Sequence, residues 1–260
     1  MRFDVVTLFP ELFAPFMEAG VARRAYASGQ IELKLWNLRD FAEGNYRRVD
    51  DRPFGGGPGM VMLAEPLARC LQAIQAERAD AAPVVLFSPI GAALNHVAVE
   101  RWSAGVGAVL ICGRYEGIDQ RFIDAHVTHQ ISLGDFVLSG GEIAALALLD
   151  AVARLQPGVL NDEGSHQADS FNPAVDGLLD CPHYTRPEEW AGQRVPAELL
   201  SGHHAQIERW RREQRLALTA RLRPELVEAA RRSNALTPQD ERFLSDFGLQ
   251  RTSRKREQLL

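Results

Sequence analysis

The sequence predicts an α/β fold, a parallel sheet flanked by helices, with a smaller all-helical domain at its C-terminal end. Three observations carry this expectation. Short uninterrupted apolar runs alternate with helical periodicity through the first 160 residues, the pattern of strands covered on both faces. Three of those runs end in glycine-rich turns. Beyond residue 178 the apolar runs stop, and segments of helical period remain.

Residues 3–9 (FDVVTLF) read as a buried strand that Pro10 ends. Helical stretches follow over 11–18 and 21–27, and Gly29 stops the second. Residues 31–38 (IELKLWNL) alternate like a strand, and 39–60 read as a loop carrying the glycine run 55–59. Residues 62–78 are helical, with Leu63, Leu67, Cys70, Leu71 and Ile74 on one stripe. Strand 84–88 (VVLFS) precedes a helix over 95–103 with Asn95 as its cap. Strand 108–112 (AVLIC) leads through 113–117 into a helix that reaches Ala125. Strand 127–133, a glycine-rich turn and a helix over 141–155 complete this part, which Pro157-Gly158 ends.

The expected domains are 1–160, a polar and mobile linker over 161–177, a helical domain over 178–250, and a frayed tail over 251–260. Helices in the second domain are expected over 196–200, 203–215, 223–232 and 238–247.

Composition narrows the partners. No apolar run approaches the roughly 18 residues of a membrane span, and the start Met1-Arg2-Phe3-Asp4 does not read as a signal peptide. Cys70, Cys112 and Cys181 lie far apart without zinc spacing and read as reduced thiols. Together these predict a cytoplasmic protein with no membrane partner. The net charge of −5 argues against nucleic acid, but its distribution does not. Residues 201–260 carry 13 Arg plus Lys against 8 Asp plus Glu, a net of +5, which leaves −10 for the rest. Such a basic end suits phosphate, although a solvated helical face would look the same.

Ligands of open parallel sheets bind beyond the carboxyl ends of the strands. Three turns lie there, at 88–91, 113–117 and 133–142. None is a phosphate cradle. No G-x-x-x-x-G-K-[ST] occurs, the run at 55–59 lacks the lysine, and no G-x-G-x-x-G opens a helix. Asp169, in the linker, could close over a substrate as a base, and Arg154 could simply stand as a cation at a helix end. Cys181 and His183 lack four-ligand zinc spacing, and no metal ligands are expected.

Taken together, eight stretches resemble the bacterial tRNA (guanine-N(1)-)-methyltransferase family, of the knotted SPOUT class. They are FDVVTLFPELF (3–13), DDRPFGGGPGMVM (50–62), ICGRYEGIDQR (111–121), ISLGDFVLSGGE (131–142), DAVARLQPGVL (150–160), DSF (169–171), GLLDCPHYTRP (177–187) and VPAELLSGHHAQIERWR (195–211). The resemblance implies a trefoil knot in the C-terminal part of the sheet, which sequence physics alone would not suggest. It implies a pocket for S-adenosylmethionine built by the three turns. From the first come Leu86, Phe87, Ser88 and Pro89, and from the second Gly113, Tyr115, Glu116 and Gly117. The third supplies Ile131, Ser132, Leu133, Gly134 and Asp135, then Phe136, Val137, Leu138, Gly140 and Gly141. It further implies a homodimer with its active sites at the subunit interface, tRNA as substrate with guanosine 37 as target, and dependence on a magnesium ion for which no motif is evident.

Within that resemblance Asp169 takes the N1 proton of guanine and Arg154 steadies charge on the neighbouring oxygen, while Gly59, Asp180, Ser201, His203, Arg211 and Arg212 contact the substrate. Arg209, Arg211, Arg212 and Arg215 would hold the RNA backbone along one helix. Residues 172–176 stand where members of the family often have a shorter connection, so this linker could order differently. Two other readings remain, a ribose methyltransferase on the same fold and a non-enzymatic RNA-binding protein; the carboxylate of Asp169 argues against both.

Overall fold

The computed structural model describes residues 1–161 and 164–257, with 249–257 described by backbone alone. The first compact unit, Met1–Asp162, contains β1 (Arg2–Thr7), α1 (Ala14–Glu18), α2 (Arg23–Ala27), β2 (Glu32–Asn37), β3 (Asp50–Asp51) and β4 (Val61–Met62). It continues through α3 (Ala64–Glu77), β5 (Val84–Ala93), α4 (His96–Ser103), β6 (Gly107–Ile111), α5 (Gln120–His126), β7 (His129–Ser132) and α6 (Glu142–Ala153). The second, Glu163–Leu260, contains β8 (Glu189–Trp190), β9 (Gln193–Arg194), α7 (Ala197–Leu200), α8 (His204–Leu222), α9 (Pro224–Arg232) and α10 (Pro238–Glu257).

In the first unit five strands form one sheet in the order β2-β1-β6-β5-β7, and every pair is parallel. Alternation along a strand sends neighbouring side chains to opposite faces. Ala108 and Leu110 of β6 face a core with Ala145, Leu148, Leu149 and Val152 of α6. Val109 and Ile111 face the other core, with Leu67, Leu71 and Ile74 of α3 and Phe122 of α5. Each of the Val, Leu, Ile and Phe side chains among these contributes about 1.5–3 kcal/mol on burial, so apolar runs are what a doubly covered sheet requires. Asn95 caps α4 as expected, its Oδ1 accepting from the Ala98 N–H at 2.9 Å. Among the described residues no helix is long and apolar enough to cross a membrane.

One strand is longer than the sequence reading. β5 continues past Ser88 to Ala93, because Phe87 and Ala92 both register against Ile131. Residues 88–91 therefore loop out of the ladder, and the chain re-enters it beside β7. Gly91 is needed there, since a Cβ would lie 2.4 Å from the Ile131 nitrogen.

The stretch read as a mobile linker is compact over 164–177. It makes two 3-10 turns, His166–Ala168 and Pro173–Val175. Asn172 is only 5% exposed, donates to the His166 carbonyl at 3.0 Å and caps the second turn through Ala174 N–H. Residues 172–176 thus form an ordered turn, closed by Asp176 at φ 58°.

The second unit is not purely helical. β8 and β9 form an antiparallel ribbon, turned by Ala191 (φ 52°) and Gly192 (φ 76°), both left-handed as a two-residue hairpin demands. Only Gly192 signals that turn in the sequence, and one glycine does not distinguish a hairpin from a loop. Helix α10 continues through Glu257, beyond Arg251 where the frayed tail was expected to start, and residues 258–260 lie outside the described residues.

Candidate functional site

The carboxyl ends of β6 and β7 and the loop that leaves β5 at 88–91 open onto a cavity of about 370 Å³. The three turns named from the sequence converge on it. From the first come Leu86, Phe87, Ser88 and Pro89; from the second Gly113, Tyr115, Glu116 and Gly117. Ile131, Ser132, Leu133, Gly134, Phe136, Val137, Leu138, Gly140 and Gly141 close the ring. Asp135 alone of the expected set is not among the lining residues. Ile90 and Arg114, inside the expected turns but not singled out, also line it, as do Ile118, Gln120, Ile123, Gln130 and Ala144 from outside them. Arg114 stands inside a turn that was recognised, so its position was a usable signal.

What fuses the turns is a close backbone crossing. The Gly141 N–H donates to the Gly113 carbonyl at 2.9 Å, and Arg114 bridges to Gly140. A Cβ on Gly141 would lie 2.8 Å from the Cys112 Cα. Backbone cannot yield as a side-chain tip does. Gly141→Ala is therefore expected to destabilise the first unit by about 1–3 kcal/mol, the usual cost of overpacking. Thermal unfolding checks this, and an unchanged midpoint would refute the crossing.

A buried carboxylate braces the crossing from below. Glu142, 1% exposed at the first residue of α6, accepts from the Thr7 hydroxyl at 2.8 Å and from Arg114 Nε at 3.2 Å. Arg114 also donates to the Ser139 carbonyl at 3.2 Å and lies 4.4 Å over the Phe9 ring. One guanidinium so ties the second turn to the third. Its charge is matched by Glu142, which leaves Glu116, among the described residues, as the unmatched acid of the lining.

The remaining expected residues of this unit lie nearby or at its end. Gly59 abuts Glu116, whose side chain occupies the place of a Cβ at 59. Burial, with Asp50 close by, pushes the Tyr115 phenol above its ordinary value. Arg154 is the half-buried C-cap of α6. All three cysteines are free and buried. Burial pushes the Cys70 thiol up to about 12 and raises Cys112 and Cys181, so none is an activated nucleophile.

In the second unit Asp169 caps the turn His166–Ala168 and is half-buried. Ser201 and His203 are exposed in the α7–α8 connection, and His203 Nδ1 caps α8 by accepting from Gln206 N–H at 3.3 Å. Asp180 is less available than expected. It accepts from Cys181 N–H at 2.7 Å and lies 2.8 Å from His183 Nε2 and 3.3 Å from Arg215. Burial would raise its carboxyl, but those partners outweigh it and hold it low.

The structure gives each arginine of the expected stripe a carboxylate neighbour. Arg209 pairs with Glu213 at 2.9 Å and Arg211 with Glu208 at 2.7 Å. Arg212 reaches Asp240 at 3.0 Å and Asp176 at 2.7 Å, with 26% of its side chain exposed. It joins α8 to α10 and to the 173–175 turn. Arg212→Ala should therefore cost about 2–3 kcal/mol of stability, somewhat below the figure for breaking a fully buried pair. A urea titration that finds no shift would overturn this assignment.

The same pair sets a pH dependence. Burial alone would raise the Asp240 carboxyl, but Arg212 and the N–H and hydroxyl of Thr237 outweigh it and hold it below the usual range. A carboxyl lowered by folding adds stability above its unfolded value of about 4, and that contribution is lost as the pH falls through the folded value. Acid titration of unfolding free energy should show this decline, and Asp240→Asn should flatten it.

Comparison with known proteins completes the description. A family model described as tRNA (Guanine-1)-methyltransferase TrmD matches residues 1–229. The chain is 75% identical over 252 residues to the tRNA (guanine-N(1)-)-methyltransferase of Polaromonas sp., covering 95% of this chain and 97% of that protein. A tRNA (guanine-N(1)-)-methyltransferase of Paracidovorax citrulli is 73% identical over 249 residues, 94% of this chain and 98% of its own. That of Bordetella pertussis is 59% identical over 257 residues, 97% of this chain and 100% of its own.

Proposed function

The chain belongs to the TrmD family of tRNA (guanine-1)-methyltransferases, and from that premise we propose that it methylates N1 of guanosine 37 in tRNA, on the 3′ side of the anticodon, with S-adenosylmethionine as donor. The observation that carries this reading is the convergence of three glycine-rich turns on one cavity, at the carboxyl ends of β6 and β7 and the loop within β5.

The lining suits such a donor. Its one arginine, Arg114, is matched by Glu142, so nothing in the cavity calls for a phosphate. Glu116 offers a carboxylate to a cationic ligand, and Leu86, Ile118, Leu133 and Leu138 offer apolar contact. When bound, the donor supplies an electrophilic methyl group on a sulfonium. The residues of the chain prepare the acceptor. Guanine N1 holds a proton and is a poor nucleophile until it is removed. The Asp169 carboxylate takes that proton, and the Arg154 guanidinium donates to the neighbouring oxygen, where negative charge gathers.

Magnesium is a different matter. Among the described residues the grouping Asp180, Cys181 and His183 could hold a metal, but it offers one carboxylate, already facing Arg215. Magnesium favours oxygen donors in octahedral array, so this cluster does not fit it, and no step is assigned to the ion.

The close crossing of 112–114 by 140–141 supports the trefoil knot of the SPOUT class. On α6, Ile143 and Ala147 are exposed one turn apart, an apolar stripe that fits a homodimer in which a second copy covers it. The 1–160 part holds the donor, residues 178–250 hold the tRNA through Ser201, His203 and Arg211, and the 161–177 segment presents Asp169. A tRNA-modifying enzyme with buried reduced thiols belongs in the cytoplasm.

Incubating the protein with tRNA transcripts and methyl-labelled donor tests the reading. Mass spectrometry should find 1-methylguanosine in transcripts with guanosine 37 and none where another base replaces it. Equal labelling of both, or methylation of ribose, would overturn it.

A further inference from the structure

The second unit holds a cavity of about 580 Å³, of whose lining residues only Arg211 has been given a role so far. Its wall is the segment just before β8, with the exposed Tyr184 and Arg186, and its other side is α7 and α8, with Trp210 and Arg211. Tyr184 and Trp210 meet edge to face at 6.1 Å between ring centres. Trp210 is buried, whereas Tyr184 is 50% exposed and presents ring surface to solvent. Glu188 and Val195, which close the hairpin through a 2.9 Å backbone bond, also line the cavity.

Its chemistry is specific. Among the described residues no carboxylate pairs with Arg186. Among the described residues Arg211 pairs with Glu208, a surface contact of two half-exposed or more exposed side chains, of the kind readily exchanged for a stronger anion. Glu188 adds a carboxylate acceptor among these cations. Two guanidinium groups alone would fit any anion. An aromatic face, guanidinium donors and one carboxylate together fit a ligand with a flat ring, a phosphate and N–H donors on the ring edge. A single unstacked nucleotide has all three features.

We propose that this cavity is a second nucleotide subsite, in which a loop nucleotide of the RNA substrate other than the methylated guanosine stacks on Tyr184 with its phosphate on Arg186 and Arg211. The assignment rests on the tRNA reading above and extends it. The subsite shares no lining residue with the donor cavity, so it acts on affinity and placement of the loop and not on methyl transfer itself.

The test uses the full chain and tRNA transcripts that each carry one 2-aminopurine in the anticodon loop. With the unaltered protein, at least one loop position besides 37 should lose fluorescence on binding, as a stacked base does. Tyr184→Ala should abolish that quenching and weaken binding about tenfold, as loss of one stacked base does, while Tyr184→Phe restores both. Arg186→Ala should lower the slope of affinity against salt by about one phosphate contact. In both, KM should rise while kcat at saturating tRNA holds. Binding and quenching left intact in Tyr184→Ala and Arg186→Ala would overturn the subsite, as would the loss of quenching persisting in Tyr184→Phe. If the unaltered protein bound or methylated no tRNA, the functional reading itself would fail instead.

Discussion

Asp169→Asn is expected to lower kcat for guanine methylation by about 10²–10⁴-fold, the usual contribution of a positioned general base, with donor and tRNA affinities unchanged. Asparagine keeps the shape of the side chain but cannot take up the N1 proton. The surroundings should tolerate it, because the backbone there is set by other groups. Asp169 N–H donates to the His166 carbonyl at 3.3 Å, and Asn172 N–H donates to the Asp169 carbonyl at 3.2 Å. The neighbouring Asn172 side chain anchors the same turn. Single-turnover kinetics with saturating donor and tRNA isolate the chemical step. A wild-type rate in this variant would remove Asp169 from the mechanism, and a loss of donor affinity would make its role structural.

Arg154→Ala should lower kcat by about 10²–10³-fold, comparable to removing one preorganised donor from a developing oxyanion. Its place at the C-cap of α6 allows a second role, as a cation favourable to the helix end. That role is worth about 0.3–1 kcal/mol and would appear as a small loss of stability with full activity. Arg154→Lys separates the two, since lysine keeps the charge at the helix end but not the planar guanidinium. Full activity in the lysine variant would leave only the charge as the active feature. A rise in KM with kcat unchanged would mean that Arg154 contributes uniform binding.

The site was legible where it depends on backbone. Residues 113–117 and 133–141 are dense in glycine and small polar residues, and such composition can only serve turns or close approaches. Both came together at one cavity because parallel strands end on the same side of a sheet. The ladder's continuation past Gly91 was not legible, since Ala92 and Ala93 become strand only through pairing with β7. Nor was the difference between Arg211 and Arg212. They are neighbours of one type, yet Arg212 is claimed by Asp240, 28 residues further along.

By itself the sequence determined the alternation of strands and helices, the covered sheet, and the three turns. Each follows from local rules, apolar period and glycine tolerance, that act within a few residues. Tertiary structure decided which charges remain available. Glu142 is matched by Thr7 and Arg114, at 135 and 28 residues' separation, and Asp176 by Arg212. Ion pairs follow distance in space, which falls steeply in effect within a few ångströms and has no fixed spacing along the chain.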